Sequence, residues 1–292
     1  MSYARIMALT ALAMMAFAGN SLLCRVALKH TLIDPASFTT IRLISGGVML
    51  WLVVRMSRGT PTGGGNWLSA LALFVYAAGF SFAYVSLSAG TGALLLFGAV
   101  QATMIGYGVW TGERLLGLQL VGLLLAFGGL VGLLLPGLSA PPLSGSILML
   151  GAGVAWGIYS LRGKGAGDAT KVTAGNFLRA VPLAAALSLF MLNSTSLDIA
   201  GVWYAVLSGA LASGIGYAMW YTALSALNAT NAATVQLSVP VIAGLGGIGF
   251  LGEPITLRLV LASVAILGGI ALVIHEKQQA HGPQQIVPAD RP

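Results

Sequence analysis

One constraint recurs along almost the whole chain: apolar runs of about 20 residues follow one another, separated by short turns rich in Gly, Pro and polar residues. That is the length at which an α-helix crosses the hydrocarbon core of a bilayer. A water-soluble domain could not cover so much apolar surface, since hydrophobic residues make up 57% of the 292 and charged ones only 7%. Strands of a membrane barrel read as short alternating segments, whereas these runs are continuous and rich in Gly and Leu, so the spanning element is the helix. The fold class is all-α integral membrane, with helices expected at roughly 5–24, 36–54, 66–88, 91–111, 116–135, 143–161, 173–192, 199–225, 229–250 and 256–275. The first run carries Arg5 and Ala16-Phe17-Ala18, which mimics a secretory signal with a cleavage site; we read it as a retained first helix. Residues 276–292 are polar, contain Gln and Pro, and are expected to form a disordered tail.

Charge supplies orientation. Fourteen Lys and Arg against seven Asp and Glu give a net charge of +7, which here is spread over loops and needs no nucleic-acid partner. With the N-terminus inside, Arg5, Arg55, Arg58, Arg114, Arg162, Lys164, Lys171, Lys277 and Arg291 fall on the cytoplasmic side. Only Arg25, Lys29 and Arg258 fall outside. Both termini are then cytoplasmic. Cys24 is the only cysteine, so no disulfide closes within the chain; no metal or other cofactor is expected.

An internal repeat organises the rest. Gly112-Glu113-Arg114-Leu115 is echoed by Gly252-Glu253-Pro254-Ile255, an offset of 253 minus 113, or 140. At the same offset Gly128-Gly129 meets Gly268-Gly269, Phe80 meets Trp220, Ala83 meets Ala223, Leu87 meets Leu227 and Ala93 meets Ala233. The expected units are residues 1–139 and 140–275, each of five helices. Five is odd, so the second copy must enter the membrane from the opposite side.

Ala18-Gly19-Asn20-Ser21 in the first helix, Arg42 in the second and Gly-Glu after the fourth recur as Trp156-Gly157, Arg179 and Gly252-Glu253. Over residues 5–274 this pattern resembles the drug/metabolite transporter superfamily, specifically its EamA-type members. The aromatic character of the third and eighth helices is similar to the YddG-type exporters of aromatic and other amino acids. That family often has Trp beside the first-helix Gly and Pro within the fourth helix; here those positions hold Ala18 and Val100, while Trp156 and Pro240 keep the pattern. The resemblance implies a bacterial inner-membrane exporter of amino acids. Two inverted halves would rock about a central cavity lined by helices one, three, four, six, eight and nine.

Candidate residues follow from depth and periodicity. Tyr76, Phe80 and Tyr84 form one stripe on the third helix; Tyr217, Trp220 and Tyr221 share a face of the eighth. They either wall a cavity that stacks on an apolar substrate or simply pack helices. Trp156 and Tyr159 on the sixth helix join the substrate-binding candidates. Asn20, Ser21, Gln101, Gln236 and Ser238 are uncharged polar groups within apolar spans, which face the interior or bond between helices. Pro240 cannot donate to the carbonyl of Gln236, which is then free for a substrate ammonium group, and Pro182 does the same for Leu178. Helices seven and nine are thus the expected bending elements.

Arg42 and Arg179 lie within the spans, as helix anchors, gate contacts or side chains that snorkel to the interface. Glu113 and Glu253 sit in turns and read as caps. With no Asp or Glu expected at mid-depth, a proton relay through a buried carboxylate is not expected. A second reading is an exporter of other amphipathic metabolites or cationic drugs, since an aromatic wall also suits cations. An enzyme is not expected: the chain has no HExxH motif, no paired aspartates and no suitably placed His. The expected partners are a small-molecule substrate and membrane lipid; oligomeric state is left open.

Overall fold

The structure, a computed structural model, describes residues 3–57, 64–112, 117–137, 139–163, 167–224, 226–227 and 229–280, with backbone alone for 229–231, 233 and 276–280. Glu113, Arg58, Arg114, Lys164, Arg291 and the tail beyond Ala280 lie outside the described residues. Among the described residues, ten helices are long and apolar enough to cross a membrane. They are α1 Tyr3–His30, α2 Pro35–Met56, α3 Trp67–Tyr84, α4 Ala89–Trp110, α5 Gly117–Leu134, α6 Leu143–Gly163 and α7 Ala169–Phe190, followed by α8 Ile199–Leu224. The ninth span comes in two pieces, α9a Ala229–Gln236 and α9b Ser238–Leu251, and α10 is Leu257–Ala280. Ten crossings bring both ends of the chain to one face of the bundle, called here the termini face.

The starts are set by short polar caps. Asp34 accepts from the amides of Ala36 and Ser37, with Pro35 opening α2; Asn66, Ser88, Asp168 and Asp198 cap α3, α4, α7 and α8 in the same way. At the other end of α9b, Gly252 takes the left-handed conformation that closes the helix (φ 62°).

Three elements depart from the sequence expectations. The first helix continues past residue 24 through Arg25 and Lys29 to His30, so Arg25 is a buried helical residue rather than a loop charge. The last helix runs on to Ala280, since Lys and Gln are good helix formers and extend it beyond the apolar stretch. Of the two prolines expected to disturb their helices, Pro182 lies inside an unbroken α7, whereas the ninth span breaks at Leu237, three residues before Pro240.

Burial sorts the helices into a centre and a flank. α3 and α4 bury 56% of their spans and α5 only 17%. α6 packs on α3 and α4, α1 on α8 and α9b, and α2 on α7 and α8, while α5 and α10 pack mainly on each other. Large side chains such as Leu124, Phe127, Leu261 and Val264 face outward from that pair, a surface suited to lipid and not to water.

The α5/α10 crossing is reciprocal. A Cβ on Gly129 would meet Ala265 and Ile266; one on Gly269 would meet Gly122 and Ala126. Because residue number falls along α5 as it rises along α10, the two helices run antiparallel. At the offset of 140, Gly129 corresponds to Gly269 and Ala126 to Ile266, so the Gly129–Ile266 contact has its counterpart in Gly269–Ala126. Glycine at these points lets the backbones meet where side chains would hold them apart.

Candidate functional site

Near the middle of the spans six helices surround a cavity. Its walls are Phe17, Asn20 and Ser21 from α1, Tyr76 and Phe80 from α3, Leu96 and Phe97 from α4, Trp156 from α6, Ala212, Ser213 and Tyr217 from α8, and Gln236 from α9a. The rings form one cluster around Trp156, which stacks on Tyr217 (centroids 5.2 Å, 26°) and on Tyr159 (5.3 Å, 29°), with Tyr76 at 4.7 Å. The clear space is small, about 20 Å³ open to the centre of a water molecule, room for about one or two waters. The walls must part before a solute can enter.

α8 meets this cavity through an irregular stretch. From Ser208 to Ile215 its backbone follows a π-helix, a rare form that is frequent at functional sites. Ser208 donates to Asn20 Oδ1 at 2.6 Å, and Ser213 reaches the cavity wall. Gly209 lies against the backbone of Arg42 and the Ser45 hydroxyl, which lets α8 approach α2 closely.

Behind the wall formed by Tyr76, Phe80 and Ser213 lies Arg42, only 1% exposed and about 10 Å along α2 from its start. It does not snorkel. Its Nη2 donates to the Tyr76 hydroxyl at 3.0 Å and its Nε to Ser213 Oγ at 3.4 Å. The guanidinium carbon lies 4.8 Å from the centre of the Phe80 ring and 5.3 Å from that of Tyr76. Nη1 is buried with no hydrogen-bond partner among the described residues.

The remaining candidates sit elsewhere. Tyr84 is a corner pin on the face opposite the termini, donating to the Ala89 carbonyl at 3.3 Å and packed on Gly92. Trp220 backs Phe17 edge-on at 6.0 Å without lining the cavity. Tyr159 and Tyr221 belong to a chain of donors toward the termini face: Asn176 Nδ2 donates to Tyr159, Tyr159 to Thr173 and Thr173 to Tyr221, each at 3.3 Å. Gln101 is buried in α4 outside the cavity. Ser238 donates to the Val235 carbonyl at 2.7 Å across the break in the ninth span, and Pro240 is buried just beyond it.

Both ends of the bundle are tied. On the termini face Arg179 donates to the carbonyls of Gly64 (2.7 Å) and Gly175 (2.9 Å), and Arg162 donates to Asn66 and Ser69, each at 3.2 Å. On the opposite face Arg25 Nε pairs with Glu253 Oε1 at 3.0 Å while Nη1 donates to the carbonyls of Tyr84 (2.9 Å) and Val85 (3.0 Å). Glu253 Oε2 in turn accepts the Ala89 amide at the start of α4, at 2.8 Å. One ion pair thus joins α1, the α3–α4 turn and the end of α9b. Asp34 adds a second tie there, accepting the Ser196 amide at 3.0 Å. Burial works against the charge of Asp34, yet hydrogen bonds from Ser37, Ser196 and Ala36 hold its carboxyl below the usual range.

Sequence reasoning did not find the Arg25 pair, the π-helical serines or Phe17 and Phe97. The signal for the serines is present, since between Ser208 and Gly214 every residue but Leu211 is small, in an otherwise bulky span.

Residues 143–275 match the EamA-like transporter family. The chain is a member of that family. An uncharacterized protein of Pseudomonas aeruginosa is 60% identical over 272 residues, covering 92% of this chain and 94% of that one. An uncharacterized transporter of Archaeoglobus fulgidus is 25% identical over 86% of this chain and 93% of its own. The threonine/homoserine exporter RhtA of Salmonella typhimurium is 34% identical over 146 residues, 47% of this chain and 48% of that one. A solved crystal structure superposes with a TM-score of 0.67 over 93% of this chain and 98% of that chain, at 18% identity, and so shares the fold. This EamA-family protein is a multi-pass membrane transporter of small molecules, a class without enzymatic turnover.

Proposed function

We propose that this transporter exports amino acids, aromatic and other apolar ones foremost, across the bacterial inner membrane by alternating access of two inverted five-helix halves. The observation that carries the reading is the mid-span cavity, ringed by Tyr76, Phe80, Trp156 and Tyr217 with Asn20, Ser21 and Gln236 between them. Flat rings suit an apolar or aromatic side chain, and neutral amides and hydroxyls suit the zwitterionic end.

The ties at both ends fit a compartment that opens to one side at a time. The reciprocal, antiparallel α5/α10 contacts support the inverted relation of the halves. The exporter RhtA supplies an amino-acid precedent over half the chain. The buried acids among the described residues, Asp34 and Glu253, lie at span ends, which favours a cycle without a mid-membrane titrating carboxylate. Arg5, Arg55, Arg162 and Lys171 on the termini face support a cytoplasmic side for both termini.

The test is flux of labelled amino acids in liposomes containing the purified protein, with and without an imposed pH gradient, beside a Trp156→Ala variant. Phenylalanine and leucine efflux above empty liposomes, reduced severalfold in the variant, is the expected result. Absence of flux for every amino acid tried defeats the substrate reading; strict one-to-one proton exchange defeats the coupling reading.

A further inference from the structure

We propose that Arg42, acting through the hydroxyls of Tyr76 and Ser213, is the anchor for a carboxylate on the transported molecule. The inference rests on the small-molecule reading above and adds what that reading leaves open: which end of the substrate is held, and that a negative charge is required.

The argument starts from an account of charge. The acids described with their side chains are Asp34, Asp168, Asp198 and Glu253. The three aspartates cap α2, α7 and α8, and Glu253 is committed to Arg25 and the Ala89 amide. None is left for Arg42, whose contacts are two hydroxyls and two ring faces. A buried guanidinium without a counter-ion is among the most costly arrangements in a membrane protein. It persists where something else in the working cycle supplies the opposite charge.

The geometry shows where that charge enters. Arg42 spends its Nη2 and Nε donors on the oxygen atoms of Tyr76 and Ser213, both of which line the cavity. Each hydroxyl therefore accepts from a cation, and the proton of each has no acceptor among the described residues. A hydroxyl that accepts from a guanidinium is a stronger donor through its own proton. Two such donors, from α3 and α8, match the two oxygens of a carboxylate. The unpartnered Nη1 is a further donor that comes within reach once the walls part.

The arrangement also discriminates. A cation in this cavity meets the field of Arg42 with no carboxylate to offset it, so quaternary ammonium compounds and amino-acid amides or esters are rejected. Acids that lack the amino group are retained. This separates an amino-acid carrier from a carrier of cationic drugs by the sign of one charge.

The experiment uses a matched series in liposomes containing the purified full-length protein: phenylalanine, phenylalanine amide, 3-phenylpropionate and 3-phenylpropionamide, each as competitor of labelled phenylalanine efflux. The same four compounds are scored for protection of the detergent-solubilised protein against heat. The two carboxylates are expected to compete and protect at concentrations at least about tenfold below their amides. Arg42→Gln is expected to reduce that preference to within about threefold. Tyr76→Phe and Ser213→Ala, which keep the charge and a similar shape, are each expected to weaken it in part.

Amides as effective as acids, or an undiminished preference in folded Arg42→Gln, overturn the proposal. Should Arg42→Gln not fold, an unchanged preference in the Tyr76→Phe/Ser213→Ala double variant overturns it equally. Protection by carboxylates without movement of any amino acid refutes the amino-acid reading while sustaining the anchor. Amino-acid flux without carboxylate preference does the reverse.

Discussion

Two buried guanidinium groups, Arg25 and Arg42, meet opposite fates within one bundle. Arg25, near the face opposite the termini, pairs its charge with Glu253 and donates from Nη1 to two backbone carbonyls. Arg42, near mid-span, has hydroxyls and aromatic rings but, among the described residues, no carboxylate, and one nitrogen without a partner. The first is a closed set of contacts, suited to holding helices together. The second is open, and an open set of donors in a low-dielectric interior is a place for a guest. The contrast separates residues that keep the fold from residues that serve transport, although both are buried arginines.

The largest expected effect on stability comes from breaking the closed set. Glu253→Ala leaves Arg25 buried and unpaired and is expected to cost about 3–5 kcal/mol, read as a marked fall in the thermal midpoint of the solubilised protein. Replacing both partners by methionine is expected to recover most of that loss, leaving about 1–2 kcal/mol for the orphaned Ala89 amide and the carbonyls of Tyr84 and Val85. A double variant as unstable as the single one contradicts the view that the single variant's loss comes from the unpaired charge of Arg25.

Asp34 offers a fourth buried charge, satisfied by backbone donors from two segments. Asparagine keeps the cap on α2 but loses the carboxylate oxygen that holds Ser196, at about 1 kcal/mol near neutral pH. The folded protein holds this carboxyl below its ordinary range. Its contribution is therefore complete above the ordinary carboxylate pKa of about 3.9, and it is lost as pH falls through the lower folded value. Thermal midpoints of the wild type and Asp34→Asn are expected to converge over that acid interval.

Smallest in stability, and largest in function, is Arg42→Gln. The relief of an unbalanced buried charge opposes the loss of two hydrogen bonds and two ring contacts, so stability is expected to change by less than about 1 kcal/mol in either direction, while flux falls at least about tenfold. A collapse of the fold with Arg42→Gln as severe as that with Glu253→Ala would erase the distinction between the two arginines.

How much of this could be read from the sequence depends on what kind of property each residue expresses. The ten helices were legible because span length and hydropathy are local quantities that the bilayer enforces. Arg25 was placed in a loop because a charge at the end of an apolar run looks like its boundary; the pairing with Glu253 spans 228 residues and leaves no local trace. The aromatic stripes were visible as stripes, but periodicity assigns a face and not a depth. Tyr84 is consequently a corner pin, while Phe80 and Tyr76, one and two turns earlier, reach the cavity. Arg42 stood out by its depth, yet its lack of a counter-ion emerges only after each described acid is traced to its partner.

The π-helical stretch of α8 bears on any attempt to exchange parts between the halves. Such a turn carries one residue more than a regular one, and one residue is about 100° of rotation. Strict counting pairs Tyr76 with Gly216, but the ring that reaches the cavity from α8 is Tyr217, 217 minus 76 or 141 residues on. A chimera that grafts α3 onto α8 by number alone would set the ring of Tyr76 at position 216, about 100° around the helix from the ring that lines the cavity.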